Sequence, residues 1–193
     1  MAFDAFFIST GVVTLAEMGD KTQLLAFLLA AKFKKPLPII AGIFLATILN
    51  HGLAGALGTW ITTLLSPDIL RWSLGASFLG MAVWTLFPDK IDDSDAQTTQ
   101  HSGVFITTLV TFFLAEIGDK TQIATVALAA NYSAPLSVVL GTTLGMMIAD
   151  VPAVFLGHSF AKRLPIRLIH MIAASIFAVL GLLILFKAEQ WLQ

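Results

Sequence analysis

The sequence has no cysteine and few charged residues, and each shortage excludes a class of protein. Without cysteine it cannot form a disulfide framework, a thiolate metal site or a cysteine nucleophile. Charged residues make up 12% of the 193 residues, against about 25% in soluble domains, so we do not expect an ordinary water-soluble fold. The formal net charge of −1 supplies neither a basic surface for nucleic acid nor an acidic tail.

The chain is instead rich in long apolar stretches. Hydrophobic residues make up 57% of the chain, and the mean hydropathy is +0.87. A membrane-spanning helix needs about 20 apolar residues, and six stretches of that order are present: 3–31, 36–65, 69–87, 103–130, 135–160 and 165–186. We therefore predict an all-α polytopic membrane protein with six transmembrane helices.

A charged motif occurs twice. Residues 15–23 read LAEMGDKTQ and residues 114–122 read LAEIGDKTQ, so eight of nine positions are identical at an offset of 99. The same offset relates Phe87 to Phe186, at the ends of the third and sixth stretches. This repeat predicts two units of three helices. They are 1–88 and 103–193, joined by an acidic linker, 89–102.

Three spans per unit require the second unit to enter the membrane from the opposite side, which makes an inverted repeat of the kind common in transporters. Charge asymmetry favours the same arrangement, because cytoplasmic loops are rich in lysine and arginine. The first, third and fifth loops carry seven basic residues and the opposite side carries two. We therefore expect a bacterial inner (plasma) membrane protein with these three loops in the cytoplasm and both termini outside.

Charged and amide side chains occur at the centres of four of the predicted spans. Ionisable residues in hydrocarbon are costly, at about 2.5–3.5 kcal/mol each, so they must face the protein interior. Glu17 and Glu116 lie near the middle of spans one and four, and Asn50 and Asp150 near the middle of spans two and five. We expect these four polar centres to meet at one level of the membrane.

The spacing within each motif suggests how its side chains are arranged. Glu17 and Asp20 are three residues apart and would project from one face of a continuous helix. Lys21 can pair with Glu17, four residues before it, or with a carboxylate of the other half. Gly19 and Gly118 weaken the helix within each motif. A local kink there could free backbone carbonyls as ligands where they line a cavity.

The clustered oxygen atoms suit a hard divalent cation such as Mg²⁺, Ca²⁺ or Mn²⁺. Five carboxylates and two lysines give the predicted membrane interior a formal charge of −3. Clustered buried carboxylates can also take up protons, so the same groups could bind ion and protons alternately, as in cation/proton exchange. Lys21 and Lys120 balance charge in this interpretation. The secondary candidates for metal binding or proton coupling are Asp150, Asn50, Gln23, Gln122, Thr22 and Thr121.

Other polar and small residues are given structural roles. We interpret His51 as a polar group satisfied in a helix interface. Gly141 and Gly145 are four residues apart, a pattern that brings membrane helices close together. The remaining histidines are interpreted as bystanders: His101, His158 and His170.

With Glu-x-Gly-Asp-Lys-Thr present twice, in two three-span halves joined by an acidic loop, the chain resembles the Gdt-type cation antiporter family. That family includes bacterial manganese exporters of the MneA type and Golgi calcium/manganese transporters. The resemblance covers essentially the whole chain. It implies export of Mn²⁺ or Ca²⁺ in exchange for protons, with the motif acids as metal ligands: Glu17, Asp20, Glu116 and Asp119.

Manganese export is the preferred function, and three other functions are alternatives to it. A Ca²⁺/H⁺ antiporter would use the same oxygen ligands. A cation channel is less consistent with an inverted repeat, and channels usually gather ligands in oligomeric rings. An intramembrane aspartyl protease would have no use for paired lysines. We therefore expect no enzyme activity and no cofactor. The expected partners are lipid, a divalent cation and protons, but not nucleic acid, and the protein would be a monomer or a homodimer.

Overall fold

The computed structural model describes residues 2–87, 103–156 and 165–186. Within these ranges the chain is helical and contains no strand, which confirms the all-α prediction. The linker 89–102 lies outside the described residues, as do Lys162 and Arg163 of the fifth loop, His101 and His158. The helices are α1 (Ala2–Glu17), α2 (Lys21–Phe33), α3 (Pro36–Leu64), α4 (Pro67–Trp84), α5 (Val104–Glu116), α6 (Lys120–Asn131), α7 (Pro135–Leu156) and α8 (Ile166–Leu185).

Three described helices are long and apolar enough to cross a membrane: Pro36–Leu64, Pro135–Phe155 and Arg167–Leu185. The pair α1 and α2 passes the same test together, but it is bent by 70° at the break between its helices. Counted as one span, this pair raises the number to four among the described residues. The chain is therefore a helical membrane protein by composition, and the six-span inverted repeat stays a prediction.

Both charged motifs lie at helix breaks. Gly19 has φ of 86° and Gly118 has φ of 77°, a left-handed conformation that glycine adopts without steric penalty. The predicted kink is therefore a full interruption, with one helix ending before each glycine and another beginning after it. Glu17 is the last residue of α1 and Asp20 precedes α2. The prediction that these two acids share one face of a continuous helix was wrong, because the helical period does not extend across the break.

The helices pack across the two halves of the sequence. α1 and α2 contact α7, whereas α5 and α6 contact α3. Each broken helix therefore lies against the unbroken second helix of the other half. α4 and α8 pack against each other. This crossed packing places each motif beside residues from the opposite repeat.

Small residues allow α7 to approach α1 closely. A Cβ atom on Gly141 would lie 2.4 Å from the carbonyl oxygen of Phe6, and one on Gly145 would lie 2.8 Å from that of Thr10. The Thr14 hydroxyl donates a hydrogen bond of 3.3 Å to the Gly145 carbonyl. The glycine pair therefore serves close helix packing, as the spacing predicted.

We expect Gly141→Ala to lower the free energy of unfolding by about 1–3 kcal/mol, because the added methyl group would overlap the α1 backbone. Gly11→Ala is the matched control on α1, since a Cβ there meets no atom within 4 Å. Thermal unfolding in detergent measures both variants. Equal melting temperatures for Gly141→Ala and the unmodified protein would contradict this packing.

Candidate metal centre

The two motif aspartates stand at the starts of the second half-helices. Asp20 is the N-cap residue of α2 and Asp119 is the N-cap residue of α6. Asp119 Oδ2 accepts hydrogen bonds from the backbone N–H of Thr121 at 3.4 Å and from its hydroxyl at 3.2 Å. Aspartate is favoured here because its carboxylate accepts from unpaired N–H groups and faces the positive end of the helix dipole.

The motif glutamines hold the breaks in place. The Gln23 side-chain oxygen accepts from the Gly19 N–H at 3.0 Å, and that of Gln122 accepts from the Gly118 N–H at 2.8 Å. Each glutamine also donates a hydrogen bond from its amide nitrogen to the unbroken helix of the other half, α7 or α3. Gln23 Nε2 donates to the Ala149 carbonyl at 2.9 Å, and Gln122 Nε2 donates to Asn50 Oδ1 at 3.4 Å.

These contacts repeat between the halves, because positions 50 and 149 are related by the offset of 99. Asn50 also donates from Nδ2 to the Phe113 carbonyl at 3.0 Å. Asn50, Gln23 and Gln122 are thus held in hydrogen bonds between helices. The structure places all three around the breaks, and their service as metal ligands stays a prediction.

Three carboxylates from both motifs converge. One oxygen atom each of Glu17, Asp20 and Asp119 lies within 4.8 Å of the other two, and all three side chains are buried. The fourth predicted ligand, Glu116, is also fully buried but is not part of this trio. Its Oε2 lies 3.9 Å from Nε2 of His51.

The lysines pair across the halves. Lys120 Nζ lies 3.0 Å from Asp20 Oδ2, and Lys21 Nζ lies 3.4 Å from Asp119 Oδ1. Of the two partners considered for Lys21, Glu17 and an acid of the other half, the structure pairs it with the acid of the other half. Lys120 is fully buried, whereas the Lys21 side chain is 22% exposed.

Several buried carboxylate oxygens have no hydrogen-bond donor in the part of the chain that the structure describes. Both oxygens of Glu17, of Glu116 and of Asp150 are in this position, although buried polar atoms are nearly always bonded. Together with the two motif aspartates, these acids are buried oxygen ligands, the chemistry that a hard divalent cation binds.

The smaller polar residues of the motifs differ between the two halves. Thr121 donates its hydroxyl hydrogen to Asp119. Thr22 is buried, and its hydroxyl has no hydrogen-bond partner among the described residues. The structure thus brings both threonines to the breaks, with only Thr121 bonded to a motif carboxylate.

Two histidines are more closely involved than their residue type suggested. Both ring nitrogens of His51 lack a hydrogen-bond partner among the described residues, so the interpretation of His51 as a satisfied interface group was wrong. The repeat offset could have drawn attention to it, since 51 plus 99 is the position of Asp150. His170 Nε2 lies 3.0 Å from the Met18 carbonyl oxygen, next to the first break.

A family described as divalent cation/proton antiporter GDT1 matches residues 5–93 and 104–191. A Vibrio cholerae protein named as a candidate manganese exporter is 52% identical over 176 residues, which are 91% of this chain and 87% of that protein. GDT1-like protein 5 of Arabidopsis thaliana is 26% identical over 90% of this chain and 92% of its own length. GDT1-like protein 3 of Oryza sativa is 26% identical over 91% and 71%, respectively. No solved structure matches the chain.

We expect Lys120→Met to destabilise the protein by about 3–5 kcal/mol, because it breaks the buried ion pair with Asp20. Adding Asp20→Asn should recover part of this loss by removing the carboxylate of that pair. The exposed Lys35→Met is the control and should stay within about 0.5 kcal/mol of the unmodified protein. Thermal unfolding in detergent tests the series, and a loss for Lys120→Met no larger than that of the control would contradict the crossed pairing.

Proposed function

The chain belongs to the GDT1 family of divalent cation/proton antiporters, and on that premise we propose that it exports Mn²⁺ in exchange for protons. The family match confirms the resemblance noted in the motifs. It also makes the chain a member of a transporter family and not of an enzyme family. Mn²⁺ as the cargo is supported by the 52% identical relative, which is named for manganese export.

The observation that carries the proposal is the meeting of carboxylates from both motifs. Glu17, Asp20 and Asp119 present oxygen atoms within 4.8 Å of one another in the buried interior. A divalent cation bound among them would add to the positive charge that the lysines bring to the two aspartates, and it would give the Glu17 carboxylate a partner. We propose Glu17, Asp20, Glu116 and Asp119 as its ligands, with Asp150 as a further acid of the same site.

Proton exchange follows from the charge of the site. Five acids and two lysines leave a formal charge of −3, and one divalent cation would reduce it to −1. When the cation leaves, the site must regain positive charge, because unpaired negative charge in the low-dielectric protein interior is costly. Protons bound by the vacated carboxylates can supply it. Lys21 and Lys120 then act as fixed charges that keep the aspartates paired in both states.

The two breaks have different surroundings, which supports alternating access. Met18, beside the first break, is partly covered, and α8 reaches its carbonyl oxygen through His170. Ile117 occupies the equivalent position of the second motif and is 55% exposed. In an inverted repeat, exchange of these two environments would close the site on one side of the membrane and open it on the other.

We propose the membrane arrangement from the sequence and the helix breaks together. α1 with α2 and α5 with α6 would each form one broken span, and with the other four helices they make six. The repeats are then 1–88 and 103–193, joined by the linker 89–102. Both termini would lie outside a bacterial inner membrane and the linker in the cytoplasm. The transporter would work as a monomer or a homodimer in lipid.

Calcium is the second candidate cargo. The converging trio of Glu17, Asp20 and Asp119 is built of oxygen alone, which Ca²⁺ accepts as readily as Mn²⁺. The family description names divalent cations without choosing among them. A cation channel is less favoured, because an inverted repeat with charged groups at its centre suits alternating access better.

We expect Glu17→Gln and Asp119→Asn to abolish Mn²⁺ export while the protein remains folded. Glu17 forms no hydrogen bond with the described residues, so the isosteric amide removes charge without removing a bond. Asparagine remains a good N-cap residue at position 119. Cellular manganese accumulation measures export. Asp68→Asn, with its side chain 77% exposed, is the control, and normal export by the two site variants would refute the ligand assignment.

We also expect everted membrane vesicles to take up Mn²⁺ when a pH gradient is imposed, and to stop when a protonophore removes the gradient. Uptake is measured for Mn²⁺, Ca²⁺, Mg²⁺ and Fe²⁺ in parallel, with vesicles lacking the protein as the control. Ca²⁺ uptake exceeding that of Mn²⁺ would favour the second candidate. Ion-selective single-channel currents would identify a channel, and the absence of any gradient-dependent divalent flux would contradict antiport.

A further inference from the structure

His51 is a buried side chain with unused ligand atoms. It lies on α3, is fully inaccessible to solvent, and has no hydrogen-bond partner for Nδ1 or Nε2 within the described residues. Leaving a buried polar group unpaired costs about 1–3 kcal/mol. The hydrogen bonds that hold the two breaks together do not involve it. The imidazole therefore has a free ring nitrogen in the protein interior.

The carboxylate of Glu116 lies close to His51. The distance from His51 Nε2 to Glu116 Oε2 is 3.9 Å, which is too long for a hydrogen bond. Two atoms that ligate one first-row metal ion, with bonds of about 2.0–2.2 Å, lie at most about 4 Å apart. Both Glu116 oxygens also lack a hydrogen-bond donor among the described residues. The pair is therefore spaced to accept a cation between its atoms.

The equivalent position of the second half also has a buried side chain without hydrogen-bond partners among the described residues. The offset of 99 relates His51 on α3 to Asp150 on α7, and both oxygens of Asp150 lack a hydrogen-bond donor in the described part of the chain. Each half thus has a buried side chain with unused ligand atoms at this point of the repeat. His51 offers nitrogen in the first half, and Asp150 offers oxygen in the second.

We propose that His51 is a nitrogen ligand of the exported cation, bound together with Glu116, and that it makes the site prefer Mn²⁺ to Ca²⁺ and Mg²⁺. Ca²⁺ and Mg²⁺ take oxygen ligands, whereas first-row transition ions also accept imidazole, Mn²⁺ the least strongly among them. One nitrogen among carboxylates therefore favours Mn²⁺ over Ca²⁺ and Mg²⁺, which an all-oxygen site would also accept. The proposal rests on the proposed function for the presence of a cation at this site.

The first test detects the bond itself. Purified protein is loaded with Mn²⁺, and the electron spin echo of the metal is examined for coupling to a directly bound imidazole nitrogen. We expect ¹⁴N coupling in the unmodified protein, and its replacement by ¹⁵N coupling when the protein is grown with ¹⁵N-histidine. This measurement needs no variant, so it does not depend on how well a substitution folds. Bound Mn²⁺ without nitrogen coupling overturns the proposal.

The second test assigns the nitrogen and measures selectivity. His51→Asn should remove the coupling and lower the ratio of Mn²⁺ to Ca²⁺ affinity by about tenfold or more, as changes next to metal sites commonly do. His170→Gln is the matched control, since it removes another buried histidine that contacts a backbone carbonyl oxygen instead. The coupling should persist in this control. Persistence in His51→Asn, or an unchanged affinity ratio, overturns the proposal.

The outcomes separate this proposal from the proposed function. Mn²⁺ that binds with ¹⁴N coupling but is not transported would support His51 as a ligand and refute Mn²⁺ export. Mn²⁺ that is transported, but binds without nitrogen coupling, would refute His51 alone. Failure of the purified protein to bind Mn²⁺ would overturn both.

Discussion

Buried carboxylates need positive charge or hydrogen-bond donors close by, and this requirement organises the whole protein. Asp20 and Asp119 obtain theirs from lysines of the opposite motif, at 3.0 and 3.4 Å. Each aspartate is thus paired with a cation of the other half, which favours crosswise packing of the two repeats. The contacts of α1 and α2 with α7, and of α5 and α6 with α3, are the structural result.

The helix breaks make this pairing possible. Gly19 and Gly118 adopt positive φ angles, so each motif changes direction between its glutamate and its aspartate. The aspartate then begins a new helix, where a carboxylate is favoured. The side-chain oxygens of Gln23 and Gln122 accept hydrogen bonds from the glycine N–H groups. Their amide nitrogens donate to α7 and α3, which connects both breaks to these helices. The glycines and glutamines of the motifs therefore form the breaks, and the acids and lysines carry the charge of the site.

The remaining negative charge is what connects the fold to transport. The lysines neutralise two acids, while Glu17, Glu116 and Asp150 have no hydrogen-bond donor among the described residues. A protein that only needed stability would gain little from such groups, because buried charge is costly unless it is paired. The chain belongs to a family of divalent cation/proton antiporters, and in the function proposed above the cation, or the protons exchanged for it, would supply the missing positive charge.

The amino-acid sequence alone indicates the helical membrane class, the duplication and the motif acids that are candidate ligands. It can do so because apolar length and a repeated charged motif are local properties of a chain. It also predicts a weak point at each glycine. It could not establish that Glu17 and Asp20 meet across a break, that Lys21 pairs with Asp119, or that His51 faces Glu116. Helical periodicity relates neighbours only within one continuous helix. Contacts between residues 65 or more positions apart depend on how the two halves pack, which the tertiary structure alone decides.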